Sequence, residues 1–403
     1  MVIINAKIYT GLDCEIIENG FIEFSEKIEK IGKMSDYEGR GEAIDASGKY
    51  VFPGLIDSHT HLGMFEDSIG FEGDDGNEES DPITPQMRAI DAVNPRDKYF
   101  FEAKMAGITT VATGPGSANP ISGQFCAMKT HGNVIDDMII KSPVAMKFSF
   151  GENPKTVYHS KNQQPLTRMA TASLIREYLK KALEYKEDID NYKKDPEEYD
   201  RPEFDMKLDS LLPLFSGDLH VKAHAHRADD ILTALRIAKE FNLKISIEHC
   251  TEGHLITENL KGIPCNLGPT LCDRSKPEMK NLTFDTYKIL SENDILTSII
   301  TDHPVIPINY LTLCAALAVK NGMSEENAVK SITINPAKIL GISDRVGSLE
   351  VGKDADIVIF SDHPFELTAK AEYVFIDGKD VFKYERNQAE RDEATKTFNP
   401  LCG

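Results

Sequence analysis

Apolar and polar positions change rhythm twice along this chain. Residues 1–50 alternate with a period of two and are broken at Gly11, Gly20, Gly32 and Gly48, which predicts several short antiparallel strands. The same alternation returns over residues 346–383, in Gly347-Ser-Leu-Glu-Val-Gly-Lys-Asp-Ala-Asp-Ile-Val-Ile-Phe360 and Glu372-Tyr-Val-Phe-Ile-Asp-Gly-Lys379. Neither end is long enough to bury a core by itself. Together they predict one small β-sandwich, with the remainder of the chain inserted between them. The expected division is 1–50 with 346–403 for the sandwich and 51–345 for the insert.

Within 51–345 short apolar runs alternate with amphipathic ones. The runs 52–58, 108–114, 134–140, 144–150, 219–225, 244–249, 263–267 and 295–302 read as strands. Helical periodicity covers 95–106, 170–186, 228–240, 283–292, 309–321 and 325–331, with Asp229 and Asp230 complementing the start of the third. Strands that alternate with helices predict a parallel α/β barrel. Residues 64–95, rich in Asp, Glu, Gly and Pro, make a long loop, and 186–210 a charged, solvated insert. Gly114-Pro-Gly-Ser-Ala-Asn-Pro-Ile-Ser-Gly123 lacks the Lys-Ser/Thr of a phosphate loop and reads as a tight turn at the barrel mouth.

Candidate chemistry gathers at the ends of the predicted strands. Val51-Phe-Pro-Gly-Leu-Ile-Asp-Ser-His-Thr-His61 ends in His-x-His. Positions two apart on a strand share a face, so His59 and His61 converge as a metal ion requires. Leu219-His-Val-Lys-Ala-His224-Ala-His226, Lys244-Ile-Ser-Ile-Glu-His249 and Ile295-Leu-Thr-Ser-Ile-Ile-Thr-Asp302-His303 each deliver His or Asp in the same way. In a parallel barrel all strand C-termini meet on one face, where such residues converge. Mixed imidazole and carboxylate ligation suits zinc best, and also iron, manganese or nickel.

These pieces resemble the amidohydrolase superfamily, metal-dependent hydrolases on a distorted TIM (β/α)8 barrel. The resemblance is carried by Phe52-Pro-Gly-Leu-Ile-Asp-Ser-His-Thr-His61, His224, His249, Thr301-Asp302, Asn335-Pro-Ala-Lys-Ile-Leu-Gly341 and Gly347-Ser-Leu-Glu-Val-Gly-Lys-Asp-Ala-Asp-Ile-Val-Ile359. Within the superfamily the chain is most like the imidazolonepropionase-related amidohydrolases. The resemblance implies one or two divalent ions and hydrolysis of an amide-type C–N bond in a cyclic amide, an N-acyl compound or a dipeptide. The alternatives are deamination of a ring amidine on the same scaffold, or a non-catalytic binding member.

It also implies a bridging ligand from the fourth strand, a carboxylated lysine or a glutamate. Val144-Ala-Met-Lys147-Phe-Ser-Phe-Gly151-Glu152-Asn-Pro154 offers both. Alternation turns Lys147 inward with Ala145 and Ser149. Glu152 has the opposite parity, but Gly151 can reset it, and Glu152 lies nearer the rim. Both stay open as metal ligands beside His59, His61, His224, His249 and Asp302. Asp302 is the expected proton acceptor, and one of His226, His249 or His303 the residue beside the carbonyl oxygen. His226, His303 and Asn119, in the glycine-rich turn, are candidate substrate contacts.

Composition narrows the partners. A net charge of −20 disfavours nucleic acid and anionic membranes, and no run approaches the ~18 apolar residues of a spanning helix. The N-terminus is strand-like and lacks the basic and apolar regions of a signal peptide. Seven scattered cysteines without a CxxC pair read as reduced thiols of the cytoplasm. Cys250 is expected in the core. A small-molecule substrate is expected, and self-association is left open.

Overall fold

The computed structural model describes residues 1–12, 15–39, 41–67 and 70–384. Two eight-stranded sheets organise it. The first takes β1 (Val2–Tyr9), β2 (Ile16–Phe24), β3 (Ile28–Lys33), β4 (Ala43–Asp45) and β5 (Tyr50–Pro53) from one end of the chain. The second is built from β6 (Leu55–Thr60), β7 (Ile108–Thr113), β8 (Ile121–Lys129), β9 (Ile139–Ser149), β10 (His220–Ala225), β11 (Ile245–His249), β12 (Cys265–Leu267) and β13 (Thr297–Ile299). Then β14 (Ile357–Phe360), β15 (Ala371–Ile376) and β16 (Lys379–Lys383) return to the first sheet.

Strands from both chain ends interleave there. The order is β16-β15-β14-β5-β1-β2-β3, with β4 beside β1. Ile357 pairs with Pro53 and Ile359 with Val51 in an antiparallel ladder. Hydrogen bonding therefore joins the two ends in one continuous sheet. Ile3, Ile8, Ile22, Val51, Ile357, Ile359 and Phe375 share one buried cluster. The part of the predicted sandwich segment beyond residue 384 lies outside the described residues.

The second sheet runs in order from β13 to β6 and nearly closes. Its free edges meet through Asp57, whose Oδ2 accepts from Thr301 N at 3.1 Å and Thr301 Oγ1 at 2.6 Å, and through His61 N donating to His303 O at 2.8 Å. Burial pushes the Asp57 carboxyl up to about 7. The helices are α1 (Tyr99–Met105), α2 (Ile135–Met138), α3 (Glu152–Ser160), α4 (Arg168–Lys194), α5 (Met206–Ser216), α6 (Ala228–Glu240), α7 (Asp285–Glu292), α8 (Leu311–Lys320), α9 (Glu325–Lys330) and α10 (Ile334–Leu340).

The barrel departs from the predicted all-parallel order at its third strand. Residues 134–140, expected to be that strand, hold the short α2, and the strand is β8, antiparallel to both β7 and β9. Connection length explains this. Only residues 114–120 separate β7 from β8 and 130–138 separate β8 from β9, too few for a parallel crossover of a dozen or more residues. The glycine-rich turn is thus a tight connection leading into a strand. The 186–210 insert is partly helical, because α4 continues to Lys194 and α5 begins at Met206 under an Asp205 cap. The fourth strand reaches back to Ile139, with a burial pattern that becomes fully buried from Val144 onward.

Candidate metal centre

The strand ends bring two sets of ligand atoms together. His59, His61 and Asp302 form one set and His224, His226 and His249 the other, with the ligand atoms of each set all within 4.8 Å of one another. The sets adjoin: the rings of His59 and His249 are 5.3 Å apart, and those of His224 and His249 4.4 Å. β6, which carries His59, is buried along its whole length. Backbone strain marks the same points. His249 has φ +70° and Asp302 φ +53°, a region that L-residues enter at a cost and that clusters at functional sites.

Three of the rings are oriented from behind by acceptors. His59 Nδ1 lies 2.6 Å from Glu248 Oε2, His61 Nδ1 2.6 Å from Gly114 O, and His249 Nδ1 2.8 Å from Gly268 O. Carbonyl and carboxylate oxygens only accept, so Nδ1 is the donor in all three and Nε2 carries the lone pair, which in His59 faces Lys147 Nζ. Asp302 Oδ1 stands 3.6 Å from His59 Nε2 and 3.4 Å from His61 Nε2. His226 Nδ1 is 2.7 Å from Thr251 Oγ1, while His224 Nδ1 is buried without a partner. Burial holds the imidazoles of His59, His224 and His249 well below the ordinary histidine value, helped by the nearby Lys147 charge. Neutral rings with inward lone pairs, backed by acceptors and joined by a carboxylate, fit a divalent cation.

Lys147 is brought in and Glu152 is not. Lys147 Nζ lies 3.0 Å from His59 Nε2. Burial lowers its ammonium to about 8 against the opposing pull of Asp302 and Glu248. Strand parity turns Lys147 inward, and Gly151, at φ +84°, turns the chain into α3 rather than resetting the strand for Glu152. Glu152 then opens that helix, outside both ligand sets.

The expected substrate contacts divide as well. Asn119 has no free group: Nδ2 donates to Glu78 O at 2.7 Å and Thr84 Oγ1 at 2.9 Å, and Oδ1 accepts from Tyr158 at 2.6 Å. It pins the 64–95 loop instead, with Gly116 N donating to Gly76 O at 2.8 Å. That loop also sets Phe65 edge-on against His61, with ring centres 5.6 Å apart, and its Met64, Asp75 and Asn77, together with Pro115 of the glycine-rich turn, line a cleft of about 1010 Å³. His303 is buried with neither ring nitrogen paired, its ring centre 4.4 Å from that of Tyr99. Burial takes its pKa down to about 4.

Two acidic residues of the site escape the sequence reading. Glu248 is fully buried, and Lys222 Nζ (2.8 Å), Ser246 Oγ (2.6 Å) and Asn266 Nδ2 (2.8 Å) surround it. Its signal was parity, since Ser246 and Glu248 on β11, like Lys222 and His224 on β10, put polar groups on one face of a buried strand. Glu278 comes from the loop before α7 and carries no periodic signal.

A sequence profile of the amidohydrolase family matches residues 214–381. The crystal structure of an amidohydrolase from Thermotoga maritima MSB8 superposes with a TM-score of 0.91 and is 41% identical, covering 95% of this chain and 99% of that one. This chain belongs to the amidohydrolase family. Amidohydrolase tasK of Hapsidospora irregularis is 30% identical over 91% of this amidohydrolase, which spans only 39% of that longer protein. Imidazolonepropionase of Thermoplasma volcanium is 26% identical over 92% of each chain, in keeping with an imidazolonepropionase-related amidohydrolase. A 5'-deoxyadenosine deaminase of Methanobrevibacter smithii is 23% identical over 88% of this chain and 82% of its own. Among the described residues, no helix of this amidohydrolase is long and apolar enough to cross a membrane.

Proposed function

We propose that this amidohydrolase is a metal-dependent hydrolase of an amide-type C–N bond in a small molecule. The observation that carries the reading is the pair of ligand sets meeting around Lys147 at one barrel mouth. His59, His61 and Asp302 would hold one cation, and His224 and His249 with Lys147 a second. Zinc suits this donor set, as do iron, manganese and nickel. A divalent cation there supplies Lewis acidity toward water and a carbonyl group.

The chain's own groups do the rest. Asp302 accepts a proton at its carboxylate and returns it to the leaving nitrogen. His59 and His61, locked by Glu248 and Gly114 O, keep their Nε2 atoms aimed at Asp302 without rearrangement. His226, held at Nδ1 beside Thr251, presents Nε2 on the other side of the site, where a carbonyl oxygen would gain charge. Phe65 covers one edge of the His61 ring.

A screen of cyclic amides, N-acyl amino acids and dipeptides with metal-reconstituted protein tests the reading. Turnover of one class, lost on chelation and restored by metal, is the expected result. No turnover across the three classes would sink it. The deaminase relative favours a second reading, hydrolytic deamination of a ring amidine, and ammonia release from aminopurine nucleosides separates the two.

A further inference from the structure

Glu278 lies in Lys276-Pro-Glu278 between β12 and α7 and is 1% exposed. One of its oxygens has a structural partner: Oε2 accepts from Glu152 N at 2.9 Å, at the start of α3. Gly151 leaves the room for this, since a Cβ there would fall 2.8 Å from Oε2. The other oxygen has no partner. Oε1 is buried without a hydrogen bond, 3.9 Å from His224 Nε2 and 3.8 Å from His226 Nε2. Both distances are too long for a hydrogen bond.

Among the described residues no lysine or arginine nitrogen lies within 4.0 Å of this carboxylate. Lys276, two residues away, donates to Asn153 Oδ1 at 2.6 Å instead. A buried carboxylate oxygen is normally paired, because leaving it bare forfeits its hydration without return. Here the bare oxygen faces the ring nitrogens of the second ligand set, so its complement comes with the bound molecule.

We propose that Glu278 Oε1 accepts a hydrogen bond from a protonated amino group of the substrate, which makes aminoacyl amides and dipeptides with a free amino terminus the substrate class. The proposal rests on the C–N hydrolase reading and narrows it. An ammonium group matches both needs of the site, a donor for Oε1 and a positive charge for a carboxylate without an ion pair. A neutral amide N–H supplies only the first.

The test uses leucinamide and lysinamide, each beside its N-acetyl twin, with binding to metal-loaded full-length protein measured by calorimetry. Wild type should bind the free amines about tenfold to a hundredfold more tightly than the twins, the range of a hydrogen bond to a charged group. Glu278→Gln should bring each pair to within about twofold and keep its metal content, since the carboxamide oxygen still serves Glu152 N. Equal binding of the twins by wild type, or no binding of either, overturns the proposal. So does an unchanged ratio in the variant, or loss of metal from it, which would make Glu278 a metal-holding residue. The wild-type comparison needs no variant to fold. Binding without any turnover would instead count against the hydrolase reading and leave the amine preference standing.

Discussion

His59 Nδ1 and Glu248 Oε2 are 2.6 Å apart, and both side chains are completely buried. The same Glu248 oxygen takes Lys222 Nζ at 2.8 Å. The barrel interior therefore holds a carboxylate whose negative charge is shared between a lysine and the imidazole that faces the candidate metal site. Such outer partners fix the tautomer of a ligating histidine and raise its basicity.

The first prediction concerns that pair. Glu248→Gln should weaken metal binding by about tenfold to a hundredfold in chelator-competition titrations. It should also cost ~3–5 kcal/mol in denaturant unfolding, because Lys222 is left as a buried charge without its partner. Glu248→Gln with Lys222→Met should recover much of the stability but not the metal affinity. Wild-type affinity in the single variant would show that Glu248 only fills space.

A second prediction separates metal holding from proton transfer at Asp302. Asparagine keeps an oxygen toward His59 and His61 but cannot take a proton at neutral pH. Asp302→Asn should therefore retain most of its metal and lose about 10²–10⁴-fold in turnover. Turnover within a fewfold of wild type would remove Asp302 from the proton path.

What was legible in the sequence follows from how each signal is encoded. His59 and Lys147 stand on buried strands and His61 just past the end of β6, so parity gave their direction, while His224 and His249 were legible from their places at strand ends. Asp302 was legible because it ends an apolar run. β8 was hidden because glycine and proline in 114–123 mask its start, and its antiparallel course depends on connector length. The place of Glu152 at the start of α3 was not legible, because a glycine before it can either reset a strand or start a helix, and only packing decides. Asn119 was a candidate substrate contact in a turn, yet its amide is consumed by Glu78, Thr84 and Tyr158, which lie far away in sequence. Glu278 acquires its meaning from Gly151 and His226, long-range neighbours with no local trace.

The third prediction concerns acid. Burial lowers His220 and His226 to about 3 and His303 to about 4, from an ordinary 6.5. The unfolded chain takes up these protons first, so between about pH 6.5 and pH 3–4 it binds more protons than the folded chain. Stability of the metal-free protein should be intact above pH 6.5 and fall as pH drops through that window. His220→Asn, which changes none of the candidate ligands, should flatten the slope of unfolding free energy against pH. An unchanged slope would mean that His220 titrates alike in both states.

The fourth prediction concerns the two chain ends. We propose that residues 1–50 and 346–384 act as one unit on which the barrel of 51–345 depends. Lys129 on β8 reaches across to that sheet, 2.7 Å from Asp356 and 3.0 Å from Asp354, all three buried. Removing residues 1–50 would bare Ile357, Ile359 and Phe375 and should give aggregated protein or a markedly lower melting temperature. A soluble, cooperatively folding fragment of 51–345 would contradict the dependence.

The last prediction decides how many ions the centre holds and which fourth-strand residue serves them. Lys147 Nζ is 3.0 Å from His59 Nε2, within the barrel and beside both ligand sets, whereas Glu152 opens α3 with its backbone N–H capped by Glu278. A lysine converted by CO2 to a carbamate presents two oxygens and can hold two cations at the ~3.5–4 Å spacing of two-metal sites, whereas the neutral amine has one lone pair for one cation. On that geometry Lys147→Ala should drop the metal content of purified, metal-reconstituted protein from two per chain to one or none. Glu152→Ala should leave it at two. The reverse pattern would make Glu152 the bridge despite its place on the helix. Wild-type protein that reaches full activity with one ion per chain would rule out the two-metal arrangement, leaving Lys147 as a buried partner of His59 and the second histidine set free for the substrate.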